Sequence, residues 1–344
     1  MRMLITGGAG LVGSHAAEYY AKRDEEVVVL DNLMRSQLFG YDKKSVEYNW
    51  RWLERYPNIK LIKGDVRNEE DVKRVIGQGV DVVIHAAGQP GVPLSIRIPK
   101  EDFSINAFGT LNVLECVRQK CPEAAFIYCS TNKVYGENVD EIPLEEQKTR
   151  YVYKETKGVS EKMPIDHTGH TPYGASKYVG DLYTQEYGRI YGMKTAVFRM
   201  SCIYGTRQFG FEDQGWVAWF IIAVLSGKPI TIYGDGKQVR DLLYVDDLVQ
   251  AYDFFVRSDI RHGVWNTGGG AENTTSLNEF IDFLEKETGK KAKITFSDWR
   301  PSDQKVYISD LGKISKELDW KPYVSPENGY RTLITWVKEN PTLF

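Results

Sequence analysis

The chain has 344 residues, 42% of them hydrophobic and 26% charged, with a formal net charge of −3 at pH 7. That length exceeds the reach of one hydrophobic core, so two lobes are expected. Mixed acids and bases leave no basic footprint for nucleic acid, and the longest apolar run, Trp216 to Leu225, is too short to span a bilayer.

The first strand, 2–6, starts too early to leave room for a signal peptide. It runs into Gly7-Gly8-Ala9-Gly10-Leu11-Val12-Gly13, then into a helical pattern with Val12, Ala16, Ala17 and Tyr20 apolar. Glycines at 7, 10 and 13 suit a tight turn, close backbone approach to a pyrophosphate and tight helix–strand packing. The helix start at Leu11 and Val12 offers free N–H groups and a positive dipole end to phosphates. A second strand, 27–31, ends at Asp31 with Asn32 beside it. A carboxylate there accepts from adenosine ribose hydroxyls and repels a 2′-phosphate, which favours NAD over NADP; Arg35 nearby argues the other way.

Further strands at 59–63, 81–86, 125–130 and 195–200 alternate with helical stretches, the α/β pattern of a Rossmann-type doubly wound parallel sheet. Ligands in such sheets lie at the carboxyl ends of the strands. Asp65-Val66 follows the third strand and is placed to meet adenine. His85-Ala86-Ala87-Gly88 follows the fourth, with small residues past which a cofactor fits. Ser130-Thr131-Asn132-Lys133-Val134-Tyr135-Gly136 follows the fifth, with hydroxyls for a substrate oxygen. Each is also readable as an ordinary strand-end turn; together they outline one cleft. The four cysteines (Cys116, Cys121, Cys129 and Cys202) lack ligand-pair spacing and read as reduced thiols of a cytoplasmic protein. His167 and His170 have no further Cys or His close in sequence, so no metal is expected.

Thr171-Pro172-Tyr173-Gly174-Ala175-Ser176-Lys177 reads as a helix start, with Thr171 as cap and Pro172 in the first turn. The i, i+4 spacing puts Tyr173 and Lys177 on one face. A phenol beside an ammonium is expected to have its pKa lowered, giving a base for an alcohol whose carbon faces a nicotinamide. Without the glycine turn upstream, a surface Tyr and Lys would be the simpler reading. From about Gly205 the texture changes. Thr231 to Gly236 reads as a strand and turn, 277–287 as an amphipathic helix, and Trp299-Arg300-Pro301-Ser302-Asp303 as a polar loop. Arg240 and Arg300 each offer a fork of donors to a diphosphate, or else surface salt bridges with Asp241 and Asp303. The expected organisation is a cofactor domain over 1–204, with later segments crossing back, and a smaller lobe over 205–344 closing over the sheet edge.

These motifs, with Asn106 before Gly109-Thr110 and Arg240-Asp241 before Val245-Asp246-Asp247, resemble the extended short-chain dehydrogenases/reductases that act on nucleotide sugars. More narrowly, 130–136, Gly205-Thr206-Arg207-Gln208-Phe209, Asp213-Gln214-Gly215-Trp216 and 236–241 resemble the CDP-tyvelose (CDP-paratose) 2-epimerase type within that family. The resemblance implies that Tyr173 transfers the proton, Lys177 holds the nicotinamide ribose, and Thr131 bonds the reacting oxygen. It adds Ser130 and Asn106 to the NAD contacts. Arg240 and Arg300 would grip the diphosphate and Tyr233 the base, while Asn132, Lys133, Cys202, Arg207 and Gln208 would meet the sugar nucleotide. Cys202 stands where the family often has Asn, which implies a reshaped sugar pocket. Related dehydratases carry Asp-Glu after the active-site Thr; Asn132-Lys133 lacks that acid pair. The implied function is an NAD-dependent epimerase of a nucleoside-diphosphate sugar, inverting C2 through a transient ketone. The alternatives are a C4 epimerase of the UDP-galactose type, a reductase, or a non-catalytic NAD sensor, against which the presence of Thr131, Tyr173 and Lys177 argues. Helices near 106–120 and 174–191 resemble those of a four-helix dimer interface, which implies a homodimer or tetramer.

Overall fold

A computed structural model describes residues 1–40, 44–77, 79–300 and 302–344. Of residues 44–46 only the backbone is described, and Pro301 of the expected polar loop lies outside the described residues. In chain order the strands are β1 (Arg2–Thr6), β2 (Glu26–Asp31), β3 (Ile59–Lys63), β4 (Val82–His85), β5 (Ala125–Thr131), β6 (Leu144–Glu146), β7 (Tyr151–Tyr153) and β8 (Thr195–Met200). They continue with β9 (Cys202–Tyr204), β10 (Pro229–Tyr233), β11 (Val239–Tyr244), β12 (His262–Thr267), β13 (Thr274–Ser276), β14 (Lys293–Ser297) and β15 (Val306–Tyr307). The chain divides into two compact units, one of Met1–Val134, Thr171–Arg199 and Val249–Trp265, the other of Tyr135–His170, Met200–Leu248 and Asn266–Phe344.

The first unit is built on the parallel sheet, ordered β12-β8-β5-β4-β1-β2-β3. Its central strands are buried on both faces, as the unbroken runs Met3-Leu4-Ile5 and Val82-Val83-Ile84 require. The edge strand β3 exposes Lys60 and Lys63, which blunts its free edge. The six strands expected from sequence all form, with ends shifted by at most a residue. β12 was not expected. His262-Gly263-Val264-Trp265-Asn266-Thr267 has polar ends and a glycine, and its apolar residues are Val264, packed against the core, and one fully buried indole, Trp265. A Cβ on Gly263 would lie 2.0 Å from that ring, so the glycine makes room for the tryptophan.

Helix Pro172–Tyr191 forms as expected. Thr171 Oγ1 accepts from the Gly174 N–H at 3.2 Å, Pro172 occupies the first turn, and Gly192 ends the helix at φ 68°. It lies close on β5 because Gly180 has no side chain where a Cβ would stand 2.4 Å from Tyr128 Oη. A π-helical turn, Ser104–Phe108, leads into helix Gly109–Lys120.

In the second unit β11 pairs in parallel with β9 and β15 and antiparallel with β13. β10 pairs with β14, and β6 with β7. The expected helix at 277–287 forms as Leu277–Thr288, opened by a capping box between Ser276 and Glu279. Trp216, Phe220, Phe280 and Tyr330 make a chain of ring contacts in its core. Among the described residues no helix is long and apolar enough to cross a membrane, and no cluster of His, Cys, Asp and Glu is set to hold a metal.

Candidate active site

The glycine turn is shaped by what cannot fit there. Gly7 sits at φ 72°, and a Cβ on it would lie 2.6 Å from the backbone of Ala87. A Cβ on Gly13 would lie 2.3 Å from Gly7 O. β1, the β4 exit at Ala86-Ala87 and helix Leu11–Ala21 therefore approach at backbone distance. That helix has no side-chain cap on its first N–H groups, so Leu11 and Val12 open an anion-binding end. The site fits a dinucleotide pyrophosphate.

Asp31, at the end of β2, accepts from Ala9 N–H at 2.9 Å and Leu33 N–H at 2.7 Å, which ties β2 to the glycine turn. Its carboxylate keeps lone pairs for ribose hydroxyls. Asn32 donates to Asp65 at 2.9 Å. Burial raises the Asp65 pKa, but hydrogen bonds from Arg67 and Asn32 outweigh it and hold the carboxyl at about 2. The Asp65 carboxylate is thus engaged within the protein. Val66 is buried in the hydrophobic core beside Gly109.

At the β4 exit, Gly88 leaves open a place where a Cβ would stand 3.0 Å from Asn106 Oδ1 and 3.8 Å from Lys177 Nζ. Behind it His85 is fully buried. Thr110 Oγ1 donates to Asn106 O at 2.6 Å, so at 3.0 Å it accepts from His85 Nε2–H, and His85 Nδ1 accepts from Thr6 Oγ1 at 2.7 Å. Burial, with Lys177 nearby, holds this imidazole neutral, its pKa at about 3.

At the β5 exit Ser130 donates to Asp181 at 2.7 Å. Asp181 is also paired with Arg199 at 2.9 Å. Thr131 accepts from Lys133 N–H at 3.2 Å and contacts Asn132 Oδ1 at 3.3 Å. Thr131 acts on the Tyr173 phenol in the direction of a lower pKa. Lys177 Nζ donates to Cys129 O at 2.6 Å and lies 4.2 Å from the centre of the Tyr128 ring. The expectation that Lys177 lowers the Tyr173 pKa is not met. Burial pushes the phenol up to about 12, only partly opposed by Thr131, and burial lowers Lys177 to about 8. The amine is directed at a backbone carbonyl, so desolvation outweighs the pairing argument.

The remaining expected substrate residues lie in the second unit. Arg300 stacks 3.8 Å over the Tyr233 ring and donates to Asp213 at 2.9 Å, while Tyr233 Oη donates to Glu212 at 2.9 Å. Arg240 donates to Asp303 at 2.7 Å. Of the two acids named beforehand, Asp303 pairs with Arg240, and Asp241 is instead buried against Ser201, Gly270 and Ser309. Cys202 lies in β9 opposite Leu242, and burial pushes its thiol up to about 12. Arg207 and Gln208 are both buried; Arg207 is at φ 60°, and Gln208 donates to Ile203 O at 3.3 Å.

Sequence reasoning missed Gln89, Asp102 and Ser176, which surround Asn106. Asn106 Nδ2 donates to Gln89 O at 3.1 Å, to Asp102 Oδ1 at 3.1 Å and to Ser176 Oγ at 3.0 Å. The available signal was spacing: Asp102 lies one helical turn before Asn106, and Ser176 precedes Lys177.

Residues 3–268 match the model of the NAD dependent epimerase/dehydratase family. The chain is 40% identical to CDP-paratose 2-epimerase of Salmonella typhi over 98% of its length and 99% of that protein. It is similar in fold to UDP-glucose 4-epimerase of Thermotoga maritima, solved with UDP-glucose (TM-score 0.83, 29% identity, 99% of this chain and 100% of that one). It is equally similar to UDP-glucuronic acid 4-epimerase of Bacillus cereus, solved with UDP-glucuronic acid and NAD (TM-score 0.83, 27% identity, 99% and 100%).

Proposed function

Because the chain belongs to the NAD dependent epimerase/dehydratase family, we propose that this NAD-dependent nucleotide-sugar epimerase inverts C2 of a CDP-linked hexose of the paratose/tyvelose type. The observation that carries the chemistry is helix Pro172–Tyr191, which sets Tyr173 and Lys177 one turn apart with Lys177 Nζ on the carbonyl of Cys129, two residues before Thr131. The similarity to CDP-paratose 2-epimerase carries the choice of sugar. NAD, when bound, supplies a hydride acceptor and donor and a positive ring charge that favours the tyrosinate. Tyr173 takes the proton of a ring hydroxyl, and Thr131 bonds the same oxygen as it becomes a carbonyl. Lys177 presents its ammonium to the ribose. The flat ketone turns over, and Tyr173 returns the proton once hydride has been restored to the opposite face. Arg240 and Arg300 anchor the diphosphate during that rotation. Asn132 and Lys133 place no carboxylic acid beside Thr131, which favours epimerisation over loss of water. Helices Gly109–Lys120 and Pro172–Tyr191 form the proposed dimer face, with Leu182, Tyr183, Ile190 and Tyr191 exposed.

The test is isotopic. Deuterium at C2 of the CDP-hexose should slow turnover and remain at C2 of the product, with no solvent deuterium entering. A primary effect at C4 and none at C2 would move the protein to the C4-epimerase reading. Washout of the C2 label would overturn the hydride mechanism.

A further inference from the structure

Asp102 is a fully buried carboxylate with only neutral hydrogen-bond partners. Oδ1 accepts from Gln89 Nε2 at 2.8 Å and Asn106 Nδ2 at 3.1 Å, and Oδ2 meets Ser176 Oγ at 2.5 Å. Ser176 also reaches Tyr173 O at 3.1 Å and immediately precedes Lys177. One carboxylate therefore ties the π-helical turn, the β4 exit and the first turns of helix Pro172–Tyr191 together.

We propose that Asp102 is a positioning residue that fixes the Tyr173–Lys177 turn through Ser176 and adds its negative charge to those that favour the Lys177 ammonium. The importance of that ammonium rests on the function proposed above. Two other groups act on Lys177 ahead of Asp102, Cys129 and then Asp181. Asp181 is held by Arg199 and Ser130. Burial raises the Cys129 thiol to about 11, leaving it neutral at neutral pH. His85 is neutral between two threonines, and Tyr128 and Tyr173 are neutral phenols. Burial lowers the Lys177 pKa, and Cys129, Asp181 and then Asp102 oppose it. Asp102 also adds to the burial that disfavours the tyrosinate, while burial raises the carboxyl of Asp102 itself against Ser176, Gln89 and Lys177.

Asp102→Asn removes the charge and keeps the shape. The new amide donates to Ser176 Oγ, whose proton then goes to Tyr173 O, while Gln89 and Asn106 keep their acceptor. The experiment is a 13C NMR titration of lysine-labelled protein, with the Lys177 resonance assigned by its loss in Lys177→Met. In Asp102→Asn, Lys177 should titrate lower by on the order of one pH unit, the low end for losing a nearby opposite charge. Ser176→Ala should lower the melting temperature and leave the Lys177 titration in place. If Asp102→Asn does not fold, Asp102→Ser carries the same titration. An unchanged Lys177 midpoint in the folded neutral variant overturns the proposal. No substrate is needed, so a wrong choice of sugar would appear separately, as absent turnover of the CDP-hexose with the titration shift intact. With active enzyme, the alkaline limb of the kcat/KM profile should move down in pH with the amine; a limb that stays fixed counts against the proposal.

Discussion

Burial favours the neutral form of both Lys177 and Tyr173, and each leaves a mark on the pH dependence of stability. Lys177 falls from 10.5 to about 8, so between those values the unfolded chain holds more protons than the folded one. Stability therefore rises with pH across that window. Tyr173 rises from 10.0 to about 12, so the folded chain holds more protons there and stability falls. Lys177→Met should abolish the first limb. The stability of wild type relative to that variant should climb from pH 8 to 10.5, with a slope of at most about 1.4 kcal/mol per pH unit for one proton. Denaturant melts at three pH values would measure it; a flat difference would mean that Lys177 titrates normally. In catalysis, Tyr173→Phe should keep the fold and NAD binding and lose roughly 10²–10⁴ in kcat. A variant turning over near the wild-type rate would show that another group is the base.

At the scale of elements, the first turn of a helix sets the site twice. Helix Leu11–Ala21 keeps its first N–H groups without a side-chain cap because Gly10 offers none, and Gly13 lets the turn close on Gly7. Gly13→Ala puts a methyl 2.3 Å from Gly7 O, so the helix must move. Calorimetric NAD affinity should drop at least tenfold, and unchanged affinity would mean the turn is more yielding than its packing indicates. Helix Pro172–Tyr191 is the opposite case, capped by Thr171. Thr171→Ala should cost about 1 kcal/mol in stability, and Thr171→Ser much less. Equal losses for both would point to the threonine methyl rather than the cap.

At the scale of the molecule, the two arginines proposed to grip the nucleotide lie in the second unit. Arg240 and Arg300 are paired with Asp303 and Asp213, acids that orient the guanidinium forks and that a diphosphate must share or displace. Arg240→Ala and Arg300→Ala should each raise KM for the nucleotide sugar, by an amount corresponding to about 1.5–3 kcal/mol, and leave NAD affinity unchanged. Wild-type KM in both variants would return them to the role of surface ion pairs. Light scattering should give at least twice the chain mass of 39.3 kDa, with Leu182→Arg shifting it toward the monomer; a wild-type monomer would rule out the proposed dimer face.

The sheet was legible in the sequence wherever a strand is an unbroken apolar run, because a parallel strand covered on both faces needs one. The glycine turn, Asp31 and Tyr173–Lys177 were legible because their spacing is local: a turn, a strand end and one helical repeat fix it. β12 was hidden because its apolar residues are only Val264 and Trp265, set among polar residues and a glycine that makes room for the indole. Local spacing could not give the direction of the Tyr173 shift, because desolvation depends on everything packed around the phenol. Nor could it reveal that Gln89, Asp102, Asn106 and Ser176, from three stretches of chain, share one buried network. Hydrogen bonds between distant residues exist only once the chain has closed around them. The sequence by itself determined which chemistry the chain carries; the tertiary structure decided the charge states in which its groups are held.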